Sequence, residues 1–306
     1  MKKEKIIIGS RSSKLALIYA QNVKNKILNN SSLEDDQIII KGLVTQGDKI
    51  RDKRLSEVGG KGLFTKNIEK ELLENNIDIA IHALKDMPAI ETKGLVSNFF
   101  LKRNDPREVL ISRDKTKLED LKSNSIIGTS SLRREFQIKR LKKDILCKLI
   151  RGNVDTRISK LNDGLYDAII LSFAGIKSLK LEKEITEIFL AKQIIPSVGQ
   201  GVISAQCRVN DTNIIDLLNK INDPETYKCA LAERYVLKIL EGDCETAIGA
   251  HAELKNDKIT LEAELFSLDG SRRFYKKIIG DKKDFDKIGL EVGKSLKEES
   301  KGSYKK

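Results

Sequence analysis

Apolar residues fall along the first two-thirds of the chain in two alternating rhythms. Short runs rich in β-branched residues, Lys5–Ile8, Gln37–Val44 and Asp78–Leu84, predict strands. Between them, Lys14–Leu28 and Thr65–Glu74 carry apolar residues at helical spacing, with Leu15, Ile18 and Val23 near one face of the first. This β-α-β-α-β order predicts a parallel sheet covered by helices. The rhythm then starts again: Glu108–Ser112, Ser125–Thr129, Ile145–Ile150 and Asp167–Leu171 predict strands, with helices near Leu132–Leu141 and Val154–Leu161. No close sequence repeat accompanies the second round, which makes it a second α/β unit and not a solenoid. Pro196, Gly199 and Gly201 mark a crossing segment, and the strand after it, Val202–Val209, is placed to return to the first unit.

The pattern changes after that. Asp223-Pro224 opens a long helix that runs to Leu240 and ends at Gly242. Ala247–Leu254, Lys258–Leu265 and Arg272–Ile279 alternate, and Asn256-Asp257 and Asp269-Gly270 join them as hairpin turns. A last amphipathic helix spans Phe285–Leu296, and the Lys-rich tail beyond it is expected to fray. The chain is therefore expected to fold as three domains: 1–101 with 200–219, 102–199, and a small α+β unit at 220–306.

Composition narrows the partners. The 306 residues are 40% hydrophobic and 33% charged, enough for true cores, and a net charge of +12 asks for an anionic partner. Aromatics are 5% with no Trp, so stacking platforms for single-stranded nucleic acid are scarce. With two His, four Cys and no C-x-x-C pair, most zinc architectures are ruled out and no metal is assigned. Cys147 and Cys207 fall in strand-like runs, Cys229 in a helix and Cys244 in a Gly/Asp loop, a scatter that fits reduced thiols. The apolar run behind the charged N-terminus is too short for a signal peptide, and no stretch is long enough to span a bilayer. The expectation is a cytoplasmic protein.

The informative cations sit where a strand passes through a small-residue turn into a helix. Gly9-Ser10-Arg11-Ser12-Ser13, Gly59-Gly60-Lys61-Gly62, Gly128-Thr129-Ser130-Ser131-Leu132-Arg133-Arg134 and Arg151-Gly152-Asn153-Val154-Asp155-Thr156-Arg157 are four such turns. Three of them combine backbone N–H groups, Ser/Thr hydroxyls and a cation, and Gly59–Gly62 offers backbone N–H groups beside Lys61, the chemistry of a carboxylate or phosphate pocket. Any one of them alone reads as an N-cap with a solvated cation nearby. Four across two adjacent α/β units suggest a small polyanion held between domains, since such turns gather at one edge of an open sheet. A nucleic-acid groove would need a continuous basic face instead.

Two further groups could carry chemistry. The apolar run 78–84 delivers Lys85 and Asp86 to its carboxyl end, where Pro88 stops it. Asp86 is either a strand-end acid paired with its neighbour or a proton donor and counter-charge beside the cations. His82 is expected in a core or domain contact. Cys244 follows a helix end and has no His nearby in sequence, which argues against a protease-like nucleophile and leaves covalent attachment open.

Taken in order, the stretches Arg11-Ser12-Ser13-Lys14-Leu15-Ala16, Val58-Gly59-Gly60-Lys61-Gly62-Leu63-Phe64, His82-Ala83-Leu84-Lys85-Asp86, 128–134, Arg151-Gly152-Asn153 with Thr156-Arg157, Val198-Gly199-Gln200-Gly201, and Leu240-Glu241-Gly242 before Cys244 resemble the hydroxymethylbilane synthase (porphobilinogen deaminase) family over nearly the whole chain. The resemblance implies two α/β domains like those of type II periplasmic binding proteins around a cleft, plus a small Cys-bearing domain. It implies a transferase of tetrapyrrole and haem biosynthesis that joins four porphobilinogen molecules head to tail, with loss of ammonia, and releases hydroxymethylbilane. By matching, Cys244 would hold a dipyrromethane cofactor through a thioether, and Asp86 would be the catalytic carboxylate. Arg11, Ser13, Lys61, Lys85, Thr129, Ser130, Ser131, Arg133, Arg134, Arg151, Arg157 and Gln200 would bind cofactor or substrate, and Gln46–Lys61 resembles the family's mobile lid. The family is usually monomeric, and neither nucleic acid nor membrane is an expected partner. This sequence departs from the family pattern at Tyr19, Glu57, Ser178, Asp243 and Glu245. The alternative is a non-catalytic anion-binding module on the same fold, in which Asp86 and Cys244 would have no purpose.

Overall fold

A computed structural model describes residues 5–49, 62–242 and 246–305. Three sheets organise them. The first has the order β2-β1-β3-β10-β4, built from β1 (Ile6–Arg11), β2 (Ile38–Leu43), β3 (Ile79–Ala83), β4 (Leu95–Phe100) and β10 (Ile203–Arg208). The second has the order β7-β6-β8-β5-β9, from β5 (Glu108–Ser112), β6 (Ile126–Gly128), β7 (Leu146–Lys148), β8 (Ala168–Ser172) and β9 (Glu187–Ile188). Both share one plan. Three parallel strands lie side by side, and the strand that enters after a crossing is antiparallel to its neighbours on both sides.

The strands of the predicted β-α-β-α-β run, β1, β2 and β3, are parallel as expected, and the antiparallel strands are those that cross. β5 and β10 arrive from the other unit and run against β8 and β3, with Ser204 opposite His82 and Leu110 opposite Ile170. The return of the chain to the first sheet after residue 201 is as expected. β3 and β5 are apolar along most of their length because helices cover both faces; residues 79–82 and all of β5 are buried. Helix α1 (Lys14–Asn29) buries Tyr19, Ala20, Val23 and Ile27, so its inner stripe is rotated from the predicted one. Strands β4 and β9 and the helices at Phe173–Ser178 and Thr212–Asn219 are elements the pattern did not yield.

The third sheet is an antiparallel meander of β11 (Ile248–Lys255), β12 (Lys258–Phe266) and β13 (Arg273–Asp281), with the helices Pro224–Leu240 and Phe285–Ser300 sharing its apolar core. The tail after that helix does not fray as expected: Tyr304 is 3% exposed and donates its hydroxyl to Leu240 O, while Lys305 pairs with Glu241. An aromatic ring in a slot outweighs the cost of ordering a few residues.

One buried carboxylate ties this unit to both crossings. Glu233 accepts from Arg103 in the first crossing at 2.5 Å, from the Gly199 N–H in the second at 2.7 Å, and from Ala252 N–H in β11 at 2.7 Å. Charge-assisted bonds on every side are what make a fully buried carboxylate tolerable there. The third unit is thereby fixed against the segments that join the other two.

Candidate active site

The carboxyl ends of β1, β3, β6 and β8 face a cavity of about 1090 Å³ between the first two sheets. Such an edge is where turns and helix N-termini leave backbone N–H groups free for a ligand. Arg11 ends β1. Lys85 and Asp86 occupy the single turn that follows β3, and Ser130, Ser131 and Arg134 follow β6. Ser131 caps the helix Leu132–Leu141 by accepting from the Arg134 N–H, so cap and cation reach the cavity together. Gly152, beside Arg151, has φ +115°, and a Cβ there would lie 2.8 Å from Thr156 Cγ2; only glycine makes this turn without strain.

The cavity is strongly cationic. Arg11, Lys14, Lys85, Arg133, Arg134, Arg151, Arg157 and Lys160 line it, against Asp48, Asp86 and Asp155. Beneath the second wall, Glu108 is wholly buried and pairs with Arg133 at 2.6 Å and Arg134 at 2.8 Å. Burial alone would raise its pKa, but Arg134 and Arg133 hold it down to about 2. Arg133 also donates to Ile195 O at 2.8 Å and Arg134 to Ile170 O at 3.2 Å, which fixes both guanidiniums. Burial, together with the positive charge of Arg134, pulls Lys85 down to about 8. Burial and the crowding of Arg134 and Arg151 bring Arg157 down to about 10. Fixed cations that repel one another in this way form a standing site for anions.

On the first wall, Asp86 Oδ2 lies 3.7 Å from Arg11 Nη1. Lys85 Nζ lies 3.4 Å from Gln200 Oε1, whose amide group donates to Pro106 O at 2.6 Å. Acid, ammonium and amide thus meet where the crossings pass between the units.

The family model described as "Porphobilinogen deaminase, dipyromethane cofactor binding domain" matches residues 6–216, and "Porphobilinogen deaminase, C-terminal domain" matches 227–298. The chain belongs to the porphobilinogen deaminase family. The porphobilinogen deaminase of Alkaliphilus metalliredigens is 41% identical over 95% of this chain and 92% of that protein. That of Staphylococcus carnosus is 42% identical over 96% of this chain and 95% of its own length. Among solved structures, substrate binding domain 2 of GlnP from Lactococcus lactis, in open conformation, aligns with a TM-score of 0.42 at 13% identity, covering 72% of this chain and 88% of that one. Membership of a deaminase family does not favour the non-catalytic alternative.

Of the residues matched to the porphobilinogen deaminase pattern, Arg11, Ser13, Lys85, Asp86, Ser130, Ser131, Arg133, Arg134, Arg151, Arg157 and Gln200 line the one cavity. Thr129 does not; it is buried and its hydroxyl accepts from Ser131 N–H, which shapes the turn. Lys61 and Cys244 lie outside the described residues, as do Glu57, Asp243, Glu245 and most of the segment likened to a lid. Cys207 and Cys229 are buried and pushed up to about 12 by that burial, which makes them poor nucleophiles. His82 is buried against Gln206, and burial brings its imidazole down to about 4. Tyr19, one of the departures, is buried, which pushes its phenol up to about 12 against the lowering effect of Ser178, another of them; the Ser178 hydroxyl donates to Ala174 O at 2.7 Å.

Sequence reasoning missed Asp48, Phe64, Lys160 and Glu108. A signal existed for two of them. Lys160 stands three residues after Arg157, on the same helix face, and Glu108 is an acid heading an otherwise apolar strand.

Proposed function

We propose that this protein is a hydroxymethylbilane synthase that extends a dipyrromethane cofactor, held through a thioether to Cys244, by four porphobilinogen molecules. Each addition releases ammonia, and water finally frees hydroxymethylbilane. The observation that carries this reading is Asp86 on a cavity with eight cations and three carboxylates among its lining residues. Pyrroles bearing acetate and propionate groups are polyanions, and a chain of them needs many cationic anchors. In this reading the protein acts as a cytoplasmic monomer without nucleic acid, and its domains are 1–101 with 200–219, 102–199 and 220–306.

The residues present suit the cofactor. Arg134 lines the cavity and its Nε is buried without a hydrogen-bond partner, an unused donor that a bound acetate or propionate would satisfy. When bound, the dipyrromethane supplies the pyrrole carbon at which each addition occurs. Arg133, Arg134, Arg151 and Arg157, with Ser130 and Ser131, hold carboxylates against the second wall, and Arg11, Ser13, Lys85 and Gln200 do so against the first. Lys61 belongs to the same set by its match to the family pattern. Asp86 donates a proton to the departing amine, and its carboxylate then stands opposite the cation left on the substrate. The 3.7 Å contact with Arg11 is longer than a hydrogen bond, so the Asp86 oxygens stay available to that amine.

Purified protein incubated with porphobilinogen tests this directly. Porphobilinogen should be consumed, and the intact mass should exceed the chain by two pyrrole units, an excess missing from Cys244→Ser. A bare chain mass with no consumption would overturn the reading.

A further inference from the structure

Arg11 is held on three sides. Asp48 Oδ2 accepts from Nε at 3.4 Å, and Asp48 Oδ1 accepts from Nη2. The Phe64 ring lies 4.2 Å from the guanidinium carbon, a cation–π distance. Nη1 is left on the side of Asp86. A guanidinium is a flat fork with donors along its edges, so a carboxylate gripping the Nε/Nη2 edge and a ring covering one face leave a single orientation.

The grip is anchored in turn. Asp48 accepts from the Thr45 N–H at 3.2 Å and from the Thr45 hydroxyl at 2.7 Å, and Thr45 is fully buried. Gly47 N–H donates to Leu63 O at 3.0 Å, which brings Phe64 over the site, and a side chain on Gly47 would run into that ring. Burial would raise the Asp48 pKa, yet the bonds from Arg11 and Thr45 hold it below the usual carboxylate range, so it is ionised at neutral pH. Both Asp48 and Phe64 line the cavity. None of these contacts has an evident role in building the sheet; all of them converge on one guanidinium.

We propose that Asp48 is the positioning residue of Arg11: it grips one edge of the guanidinium so that the other faces Asp86 and a substrate carboxylate. This rests on the functional reading above, with porphobilinogen as the substrate. Asp48 does not touch the reacting atoms and acts through Arg11. An ungripped Arg11 spreads over many rotamers, and binding a carboxylate must then order it.

Two readouts on the full-length protein test the assignment. The first is the Arg11 Nε–H signal in a ¹⁵N–¹H correlation spectrum, identified by its absence from Arg11→Lys. It should be resolved and slowly exchanging in the wild type and lost to the solvent-averaged envelope in Asp48→Asn. The second is steady-state kinetics with porphobilinogen. Asp48→Asn should raise KM about tenfold with kcat within about threefold, and should add less than about twofold in an Arg11→Lys background. Phe64→Leu, which alters no charge, should weaken the same signal and raise KM by about threefold. An Arg11 signal unchanged in Asp48→Asn, or kinetic effects of Asp48→Asn and Arg11→Lys that multiply, would overturn the proposal. A wild type that consumes no porphobilinogen would overturn the functional reading instead, and the spectrum would still decide whether the grip exists.

Discussion

The two walls of the cavity are both basic, but they are built differently. The first carries Arg11, Lys14 and Lys85 beside two carboxylates, Asp48 and Asp86, that face the same space. The second carries Arg133, Arg134, Arg151, Arg157 and Lys160 with a single exposed carboxylate, Asp155, and its main counter-charge, Glu108, is buried beneath the surface. Mixed charges in contact suit a place where charge moves during a reaction, because proton transfer needs an acid close to what it protonates. A guanidinium array fixed from behind suits a place where charge stays, because preorganised donors need not rearrange for each new carboxylate. On this view chemistry belongs to the first wall and retention to the second.

The sharpest way to break that division is Asp86→Asn. Removing the acid should lower ammonia release by about 10²- to 10⁴-fold while porphobilinogen and cofactor still bind. An equal loss of binding would mean that Asp86 organises the wall instead of acting on the substrate.

Glu108→Gln attacks the other side. It leaves Arg133 and Arg134 packed together without their buried partner, and breaking such an arrangement costs about 3–5 kcal/mol. Denaturant unfolding should show that loss, and replacing Arg133 with Met in the same variant should recover part of it. The pH dependence follows from the direction of the shift. Glu108 is held at about 2 against an ordinary value of 4.5, so its contribution is complete above pH 4.5 and is lost as the pH falls toward 2. A Glu108→Gln protein with unchanged acid stability would remove Glu108 as the support of the second wall.

How far these walls could be read from sequence depends on whether a residue acts through local spacing or through a distant partner. The strand–turn–helix cations were legible because cap, turn and cation lie within a few residues of one another, and eleven of the matched residues line one cavity. Glu108 was not, since its partners stand some twenty-five residues away and only the fold brings them together. Asp48 reads as an ordinary loop acid until Phe64 and Arg11 close on it. The antiparallel strands β5 and β10 were seen as strands, but their direction is set by where the chain crosses, which hydrophobic pattern does not encode. Thr129 shows the reverse case: its hydroxyl, inside a binding motif, accepts from Ser131 N–H within its own turn, and the residue is not among those lining the cavity.

Lys85 sharpens the comparison, for it lies on the first wall yet feels the arginines of the second. With its ammonium brought down to about 8 from 10.5, charging it costs stability below pH 8, and that cost is relieved between pH 8 and 10.5. Carboxylate binding has the opposite sign, because it needs the charged form. The affinity for porphobilinogen should therefore fall several-fold as the pH passes roughly 8 to 9.5, and Lys85→Gln should flatten that part of the profile. An unchanged profile would place the titration elsewhere.

The smallest expected effect is the most discriminating for the second wall. Lys160 lines the cavity, and its ammonium donates to Arg151 O at 3.2 Å, so it has two separable uses: an anchor for substrate, or a clasp on the turn that carries Arg151. Its side chain is only half-buried, which weakens any ion pair through solvent screening. As an anchor at the edge of the array, Lys160→Ala should raise KM by about threefold and leave kcat alone, because the charge is felt equally before and during reaction. Lys160→Arg should restore KM, and added salt should shrink the difference. As a clasp, the same substitution would instead lower the melting temperature and disturb every step that uses Arg151, with kcat and KM moving together and no sensitivity to salt. The retention role given to this wall predicts the first pattern, since a cation held at its rim adds to a field that the four arginines already supply.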